Sequence, residues 1–295
     1  MRIGAKVPNS GPLPSRVGIP VMARDLEQAG FTSLWVSDHV VMPKTIESRY
    51  PFASDGKATW ATSTPYIDAV VALTLIAGAT DTVTFGTAVL VLPLRHPVVL
   101  AKQAASLDAL SGGRLRLGIG AGWLEEEFLA LDVPFATRGK RFVEWIEILR
   151  DCWTGTPSAR NYEHYALPGD VLCMPTPVSG IPLLVGGHSP IALQRAGRLA
   201  EGWLAHQSLT AIDAADVAAG ASRVRAAAAD AGRDPNGVRV VLRVIDSAGR
   251  SDMLARHVRD LALAGVDELI VDVAWEDGSD HALDASRLLD AESAA

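Results

Sequence analysis

Asp38 and His39 directly follow SLWVS (residues 33–37), an apolar run with the character of a buried strand. The unperturbed pKa of histidine lies near neutrality, so the His39 ring could carry a proton to or from a substrate. A helix cap beside a surface histidine would also produce such a pair. Because the pair follows a strand, we predict that it lies at an active site, with His39 and Asp38 as catalytic residues and Asp38 orienting the ring.

Two glycine-rich turns are further candidates for a binding site. GIGAGW (118–123) lacks the dinucleotide-binding pattern G-x-G-x-x-G, which would need a glycine at Trp123. It is either a tight turn or a place where backbone N–H groups approach a flat cofactor or its phosphate. In VGGHSP (185–190), Ser189 suits an N-cap and Pro190 the first residue of a helix, whose free N–H groups attract anions. An ordinary capped helix is the alternative there, and we predict phosphate binding.

Other reaction types find no matching pattern in the chain. The three glutamates in GWLEEEF (122–128) are typical of a solvated helix start, where acids lie near the positive end of the helix dipole, and we expect this of at least two of them. The sequence has no HExxH motif, cysteine cluster, G-x-S-x-G elbow or Walker loop. We therefore expect no metal site.

The elements that must position these residues alternate between strand and helix along the chain. The strands are apolar on both faces, as parallel strands covered on both sides are. Eight such units predict a (β/α)8 TIM barrel within a single domain, residues 1–295, with its chemistry at the carboxyl ends of the strands. An open, doubly wound sheet is the alternative. The predicted strands are 2–7, 33–37, 82–92, 114–122, 181–187, 202–205, 237–246 and 267–273.

Net charge, apolar runs and cysteine content exclude several classes of function. A formal net charge of −7 argues against a nucleic-acid partner. No run approaches about 18 apolar residues, so we expect no membrane span, and the first residues lack the apolar core of a signal peptide. Cys152 and Cys173 lie far apart in the sequence and form no CxxC pair. We expect a reduced, cytoplasmic protein without a structural disulfide.

Several stretches together resemble one known family. They are SLWVSDH, FGTAVLVLPLRHPVVLAKQAASLDALSGGRLRLGIGAGWLEEEF, RFVEWIEILRDCW, IPLLVGGHSPIALQRAGRLAEGW and GVDELIV. They are similar to the luciferase-like monooxygenase superfamily, and within it to actinobacterial oxidoreductases that use the deazaflavin coenzyme F420. The resemblance covers about residues 1–275. It implies a luciferase-like barrel with loop insertions after strands two and four and before strand five.

The resemblance also implies which residues hold the cofactor. Asp38 and His39 would lie at the cofactor, with His39 beside its reactive carbon. A non-proline cis peptide, matching Ala88–Val89, would lie behind the central ring. The glycine turns would contact the ring, the ribityl chain and the phosphate, through Gly120, Ala121, Gly122, Gly186, Gly187, His188 and Ser189. Related sugar-phosphate dehydrogenases have a catalytic glutamate where this chain has Trp123, so we expect another substrate, with Trp123 in the wall of its pocket.

The function that follows is transfer of a hydride between F420 and a small organic substrate. One alternative is an FMN-dependent monooxygenase that uses O2 and reduced flavin from a partner reductase. Another is a protein that binds flavin or deazaflavin without turnover. The resemblance implies a homodimer. Loops 40–63 and 154–181 are expected to shape the substrate pocket.

Overall fold

Eight parallel strands close into a barrel in the computed structural model, which describes residues 1–51, 55–58, 60–276 and 278–293. The strand order around the described barrel is β1-β10-β9-β8-β7-β4-β3-β2. The predicted (β/α)8 barrel is therefore confirmed, and the open sheet is excluded. The barrel strands are β1 (Arg2–Lys6), β2 (Ser33–Val36), β3 (Thr84–Val91), β4 (Leu115–Gly120), β7 (Leu183–Gly186), β8 (Gly202–Ser208), β9 (Arg239–Ile245) and β10 (Glu268–Val271), and β5 (Arg160–Asn161) and β6 (Ala166–Leu167) form a separate antiparallel pair.

Helices surround the barrel, and side-chain caps mark the start of four of them. Asp68, Ser189, Asp213 and Asp280 accept hydrogen bonds from backbone N–H groups of the first helical turn, which would otherwise lack partners. Within the described residues no helix is both long and apolar enough to cross a membrane. The helices are α1 (Leu13–Arg16), α2 (Ile19–Gln28), α3 (Ala69–Ala79), α4 (Pro97–Ser111), α5 (Glu125–Ala130), α6 (Arg138–Trp153), α7 (Pro190–Leu199), α8 (Ala214–Asp230), α9 (Ser251–Leu263) and α10 (His281–Ser293).

The two faces of each strand contribute to two separate apolar clusters. On β2, Leu34 and Val36 belong to the large core between strands and helices. Trp35 points the other way, into the barrel, because successive side chains of a strand alternate. The small interior cluster consists of Trp35, Ala88, Leu184, Leu204, Val241 and Ile270. Burial on both faces explains the continuous apolar character of the strands.

Long segments follow two of the strands at their carboxyl ends. Residues 37–68 separate β2 from α3, and α5, α6 and the β5–β6 pair lie between β4 and β7. Within β3, the bond Ala88–Val89 is cis, and the register with β4 shifts between Thr87 and Leu90. The predicted cis peptide is therefore confirmed, and the register shift shows that it lies in a bulge of β3.

Folding brings the two cysteines together. Cys152 is buried at the end of α6, and Cys173 follows the β5–β6 pair; both are free thiols. Burial and the adjacent Cys173 thiol raise the pKa of Cys152 to about 12. The two cysteines, far apart in the sequence, are therefore neighbours in the fold. The Cys152 thiol is protonated at neutral pH.

A buried carboxylate closes the amino-terminal end of the barrel. Glu268 is fully buried and accepts hydrogen bonds from Ser33 Oγ (2.5 Å) and Arg116 Nη1 (2.8 Å), while Arg2 Nη2 lies 3.0 Å away. The Arg116 guanidinium also lies 4.9 Å from the ring centre of Trp35. Burial alone would raise the pKa of Glu268, but Arg116 and Ser33 outweigh it, and the net shift is downward. The carboxylate is thus ionised and fully satisfied inside the barrel.

Glu268→Gln is expected to lower the free energy of unfolding at pH 7 by about 3–5 kcal/mol, because it leaves Arg116 charged, buried and unpaired. The folded pKa of Glu268 lies below its unfolded value. Its contribution is therefore complete above the unfolded pKa of about 4.3 and is lost as the pH falls through the folded pKa. Urea unfolding of both proteins, followed by tryptophan fluorescence from pH 7 to pH 3, measures the difference and its decline.

Glu163→Gln is the matched control, since Glu163 pairs with Lys140 on the surface and should change stability little. Equal stability of Glu268→Gln and wild type at pH 7 would contradict the assignment of Glu268 as a barrel-closing charge.

Candidate active site

Asp38 lies buried where β2 ends, with both carboxylate oxygens occupied. Its Oδ2 accepts from the Val91 N–H (3.0 Å), and its Oδ1 accepts from Arg95 Nη2 (2.5 Å). Burial raises the pKa of Asp38, while the Arg95 guanidinium and the Val91 amide oppose that rise. The sequence led us to expect that Asp38 orients the His39 ring. The side-chain partner of Asp38 is instead Arg95, which no local pattern in the sequence indicates.

Arg95 ties together the two ends of the 37–68 segment. Its Nη1 donates to Asp68 Oδ2 (2.6 Å), and Asp68 caps α3 at the far end of the segment. Asn9 makes a second link of the same kind, because its Nδ2 donates to both Ser37 O (2.8 Å) and Ile67 O (2.9 Å). The rim residues of β2 therefore sit at the base of a loop that is closed twice.

His39 is paired with Glu127 from α5. The His39 Nδ1 lies 3.1 Å from Glu127 Oε2, and Glu127 Oε1 accepts from the N–H groups of Val40 (2.6 Å) and Val41 (3.2 Å). Glu127 is buried, so its carboxylate depends on these partners. Since a carboxylate oxygen accepts, the His39 Nδ1 donates, and its Nε2 remains for other chemistry.

Glu126 anchors the same loop further along. Its carboxylate accepts from the Glu47 and Ser48 N–H groups and from Ser48 Oγ, at 2.6, 2.9 and 2.6 Å. Burial opposes the shift, but Ser48 and the backbone donors lower the pKa of Glu126 to about 2. The expectation that at least two of the three glutamates are merely solvated is wrong, because only Glu125 is exposed. The sequence offers no local signal for this role, since its partners lie some 80 residues away.

An aromatic wall surrounds His39. The ring centres of Tyr66, Trp60 and Trp123 lie 5.4, 6.3 and 6.3 Å from that of His39. Tyr50 packs edge-on against Trp60 (5.1 Å) and Trp123 (5.0 Å). Trp123, predicted as a pocket wall, thus lies beside the predicted catalytic histidine. Of the loop expected to shape this pocket, 40–63, residues 52–54 and 59 lie outside the described residues.

The glycines at the ends of β4 and β7 make room for the bulge of β3. A Cβ on Gly120 would lie 2.8 Å from the Val89 side chain, and one on Gly186 would lie 2.7 Å from it. Both distances are shorter than real side chains tolerate, so Val89 requires glycine at both positions. Ala121 and Gly122 follow on the same rim. Ala88, Val89, Gly120 and Gly186, which sequence comparison placed along one cofactor, therefore pack together at the barrel mouth.

The turn after β7 leads into the capped start of α7. Gly187 adopts a φ of 122°, a conformation that favours glycine, and its carbonyl accepts from Trp203 Nε1 (2.8 Å). Ser189 is exposed, and its Oγ accepts from the Ala192 N–H at 3.2 Å, as its N-cap prediction requires. His188 instead turns toward β8, where its Nε2 accepts from the His206 N–H (3.0 Å), and burial lowers its pKa. The neutral ring is thus fixed against the barrel.

Arg243 is a further residue of the mouth that sequence reasoning missed. From β9 it crosses to the opposite side, where its Nη1 donates to Ala88 O of the cis bond (3.1 Å) and to Ser37 Oγ (3.2 Å). Its Nη2 donates to Asp272 Oδ1 (3.4 Å). Its Nε, like Trp60 Nε1, is buried without a hydrogen-bond partner among the described residues.

Comparison with known proteins gives a consistent result. The family model described as luciferase-like monooxygenase matches residues 14–291. An uncharacterized protein of Mycobacterium tuberculosis is 39% identical over 62% of this chain and 63% of its own length. The F420-dependent hydroxymycolic acid dehydrogenase of the same organism is 33% identical over 72% of this chain and 54% of its own length. The chain thus aligns with less than two thirds of the length of these relatives.

Among solved structures, an F420-dependent secondary alcohol dehydrogenase in complex with an F420-acetone adduct superposes with a TM-score of 0.78. The alignment covers 99% of this chain and 98% of that one, at 16% identity. At this identity the likeness shows a shared fold.

Arg95→Met is expected to lower the free energy of unfolding by about 3–5 kcal/mol, because it leaves Asp38 buried with its main cationic partner removed. The double variant Arg95→Met/Asp38→Asn should recover part of the loss, since it removes the stranded charge as well. Urea unfolding of the two single variants and the double variant gives the coupling energy.

The matched control is Arg160→Met, which breaks an exposed ion pair with Glu147 and should cost at most about 1 kcal/mol. Additive effects of the Arg95 and Asp38 substitutions would show that the pair does not hold the loop base.

Proposed function

Because the chain belongs to the luciferase-like monooxygenase family, we propose that it is an F420-dependent oxidoreductase that transfers a hydride between the deazaflavin and a small organic substrate. The observation that carries the proposal is the pairing of His39 with buried Glu127 inside an aromatic wall, at the rim where barrel enzymes work. Similarity to two F420-dependent dehydrogenases supports F420 over other cofactors.

The residues of the mouth fit a flat cofactor with polar edges and a phosphate. Ala88 and Val89 would lie behind its ring, and Gly120, Ala121 and Gly122 would lie along it. The buried donors Trp60 Nε1 and Arg243 Nε have no partner among the described residues, as donors reserved for a ligand would. Gly186, Gly187, His188 and Ser189 lead to the α7 start, where free N–H groups would receive the phosphate.

When bound, F420 supplies a ring carbon, C5, that takes up or releases a hydride. The chain supplies placement, exclusion of water and a route for protons. His39, held through Nδ1 by Glu127, presents Nε2 for proton transfer or for stabilising charge at the reacting centre. Asp38 acts indirectly, because its contact with Arg95 fixes the backbone next to His39. Trp123 beside His39 contributes to the wall of the substrate pocket.

Two alternatives share this barrel. An FMN-dependent monooxygenase would need O2 and a partner reductase, and a carrier would bind the cofactor without turnover. The FMN-dependent monooxygenase is tested by titrating the purified protein with F420 and with FMN and following the quenching of cofactor fluorescence. We expect tighter binding of F420. Tighter binding of FMN would reject the proposal, and bound F420 that never changes oxidation state across a broad substrate panel would favour the carrier.

His39→Ala is expected to reduce turnover by about 10²–10⁴, the usual magnitude for loss of a general acid or base, while F420 affinity falls much less. Single-turnover measurement of hydride transfer with F420-loaded enzyme tests this. The matched control is His257→Ala, a histidine of α9, remote from the barrel mouth. Near-normal single-turnover hydride transfer in His39→Ala would show that the pair with Glu127 serves only to hold the loop.

We also propose that the protein is a homodimer that works in the cytoplasm on a small molecule, without nucleic acid or a membrane. Exposed apolar side chains on neighbouring helices support a protein partner, among them Val71 and Leu75 on α3 and Val99 on α4. The net charge of −7 disfavours a polyanion. Sedimentation equilibrium measures the number of subunits, and a monomer at micromolar concentration would reject the dimer.

A further inference from the structure

Half of the barrel mouth is lined by charged and titratable side chains. Four consecutive strands, in the spatial order β1, β10, β9 and β8, each contribute one inward-facing residue at their carboxyl end. Each lies two residues beyond a residue of the barrel interior, so alternation turns it into the mouth. These residues, here called the polar arc, are Lys6, Asp272, Arg243 and His206. The opposite half of the mouth is formed by the bulge of β3 and the glycines that accommodate it.

Lys6 differs from the rest of the arc because its ammonium has no hydrogen bond or ion pair with a described residue. Arg243 is held by Ala88 O, Ser37 Oγ and Asp272. Lys6 ends β1 and lies beside Asp272 in register, since its neighbour Ala5 pairs with Val271. Lys6 as a whole is half-buried, whereas Gly4 below it is buried. The Lys6 ammonium therefore lies at the mouth end of its strand without a partner among the described residues.

The surroundings of Lys6 bring its titration close to neutrality. Burial first, and the positive charge of Arg243 second, lower the pKa of Lys6 to about 7, against the opposing effect of Asp272. His206 from β8 adds no charge at neutral pH, because burial and Arg243 lower its pKa to about 4. Tyr66, from the loop above, stays neutral because burial raises its pKa. Amine and ammonium forms of Lys6 are thus both populated near pH 7, as a group that both takes and returns a proton requires.

We propose that Lys6 is a catalytic residue that exchanges a proton with the oxygen of the substrate, and that the substrate is therefore an alcohol or the corresponding carbonyl compound. This rests on the proposed function. In the oxidising direction the C–H hydrogen leaves carbon with its electron pair for F420, and the C=O bond forms. The O–H bond breaks, and its proton passes to the Lys6 amine and then to water. The second proton of the reduced cofactor comes from solvent, and reduction of the carbonyl compound runs these steps in reverse.

Lys6 ends β1, and His39 follows the neighbouring strand β2. The two proposed proton-transfer groups therefore come from adjacent strands. Lys6 would serve the substrate oxygen, and His39 the reacting centre beside the cofactor.

The first test is the titration of Lys6 itself. The chain has five lysines, so NMR of protein labelled with ¹³C and ¹⁵N on lysine gives a spectrum that can be followed one side chain at a time. One resonance, missing from Lys6→Met, should titrate near pH 7, apart from the resonances of the other four lysines. Titration of Lys6 together with the other four would overturn the proposal, whatever cofactor the protein binds.

The second test uses F420-loaded enzyme with a panel of secondary alcohols and ketones that includes isopropanol, acetone, cyclohexanol and cyclohexanone. Lys6→Met and Lys6→Arg should each lower kcat/KM by about 10²–10⁴ and abolish the limb of the pH profile near pH 7, with F420 affinity unchanged. Lys6→Arg keeps the positive charge, but the guanidinium does not release a proton near pH 7. This variant therefore distinguishes proton transfer from electrostatic attraction of the substrate. Lys140→Met, at an exposed ion pair, is the matched control.

Two results would overturn the inference: wild-type activity in Lys6→Arg, or F420 binding with no turnover of any alcohol or ketone in the panel. Failure to bind F420 would instead reject the proposed function, which the cofactor titration detects separately. A merely structural Lys6 would lower stability without removing the limb of the pH profile.

Discussion

The candidate active site depends on the guanidinium of Arg95. Arg95 donates to Asp38 at the end of β2 and to Asp68 at the start of α3, so one side chain joins the two ends of the segment that carries His39. Asp38 is inside the protein, where an ionised carboxylate is costly without a close cation. The same contact therefore satisfies a buried charge and closes a loop. Glu127 and Glu126 then attach the loop to α5, and His39 is oriented by one of those attachments.

The barrel interior divides into three layers with different physical roles. At the amino-terminal end, Glu268 and Arg116 form a buried ion pair that plugs the barrel. Above it, Trp35 and its apolar neighbours form a dry layer without charge. At the carboxyl end the polar arc begins, where Arg243 and its partners meet the bulge of β3. The apolar layer keeps the lower ion pair away from the mouth, so the charges that stabilise the fold are separate from those available for chemistry.

What could be predicted from the sequence were features with a local signature. Runs apolar on both faces indicate parallel strands, and the alternation along β2 places Trp35 inward and Leu34 outward. Ser189 before Pro190 indicates a capped helix. The cis bond at Ala88–Val89 has no such signature, and the resemblance to a family supplied it.

What could not be predicted were partners distant in the chain. Arg95 reaches Asp38 across 57 positions, Glu127 reaches Val40 across 87, and Arg243 reaches Ala88 across 155. The sequence does not distinguish a solvated glutamate at the start of a helix from one that binds a distant loop. The role of Glu127 is therefore apparent only from the three-dimensional structure. For the same reason the spacing of Gly120 and Gly186 indicates turns, but not that both glycines accommodate Val89.

Closure of the 37–68 segment at its base has a consequence for how a barrel of this kind can change in evolution. Arg95 and Asn9 fix both ends independently of what lies between them. The cost of closing a flexible loop grows slowly with length, by roughly 0.6 kcal/mol for each doubling. The part of the segment beyond the Glu126 anchor at Ser48 can therefore be exchanged, lengthened or shortened, while the barrel and the residues that anchor the loop stay the same. A new specificity can then arise from a change in that part alone.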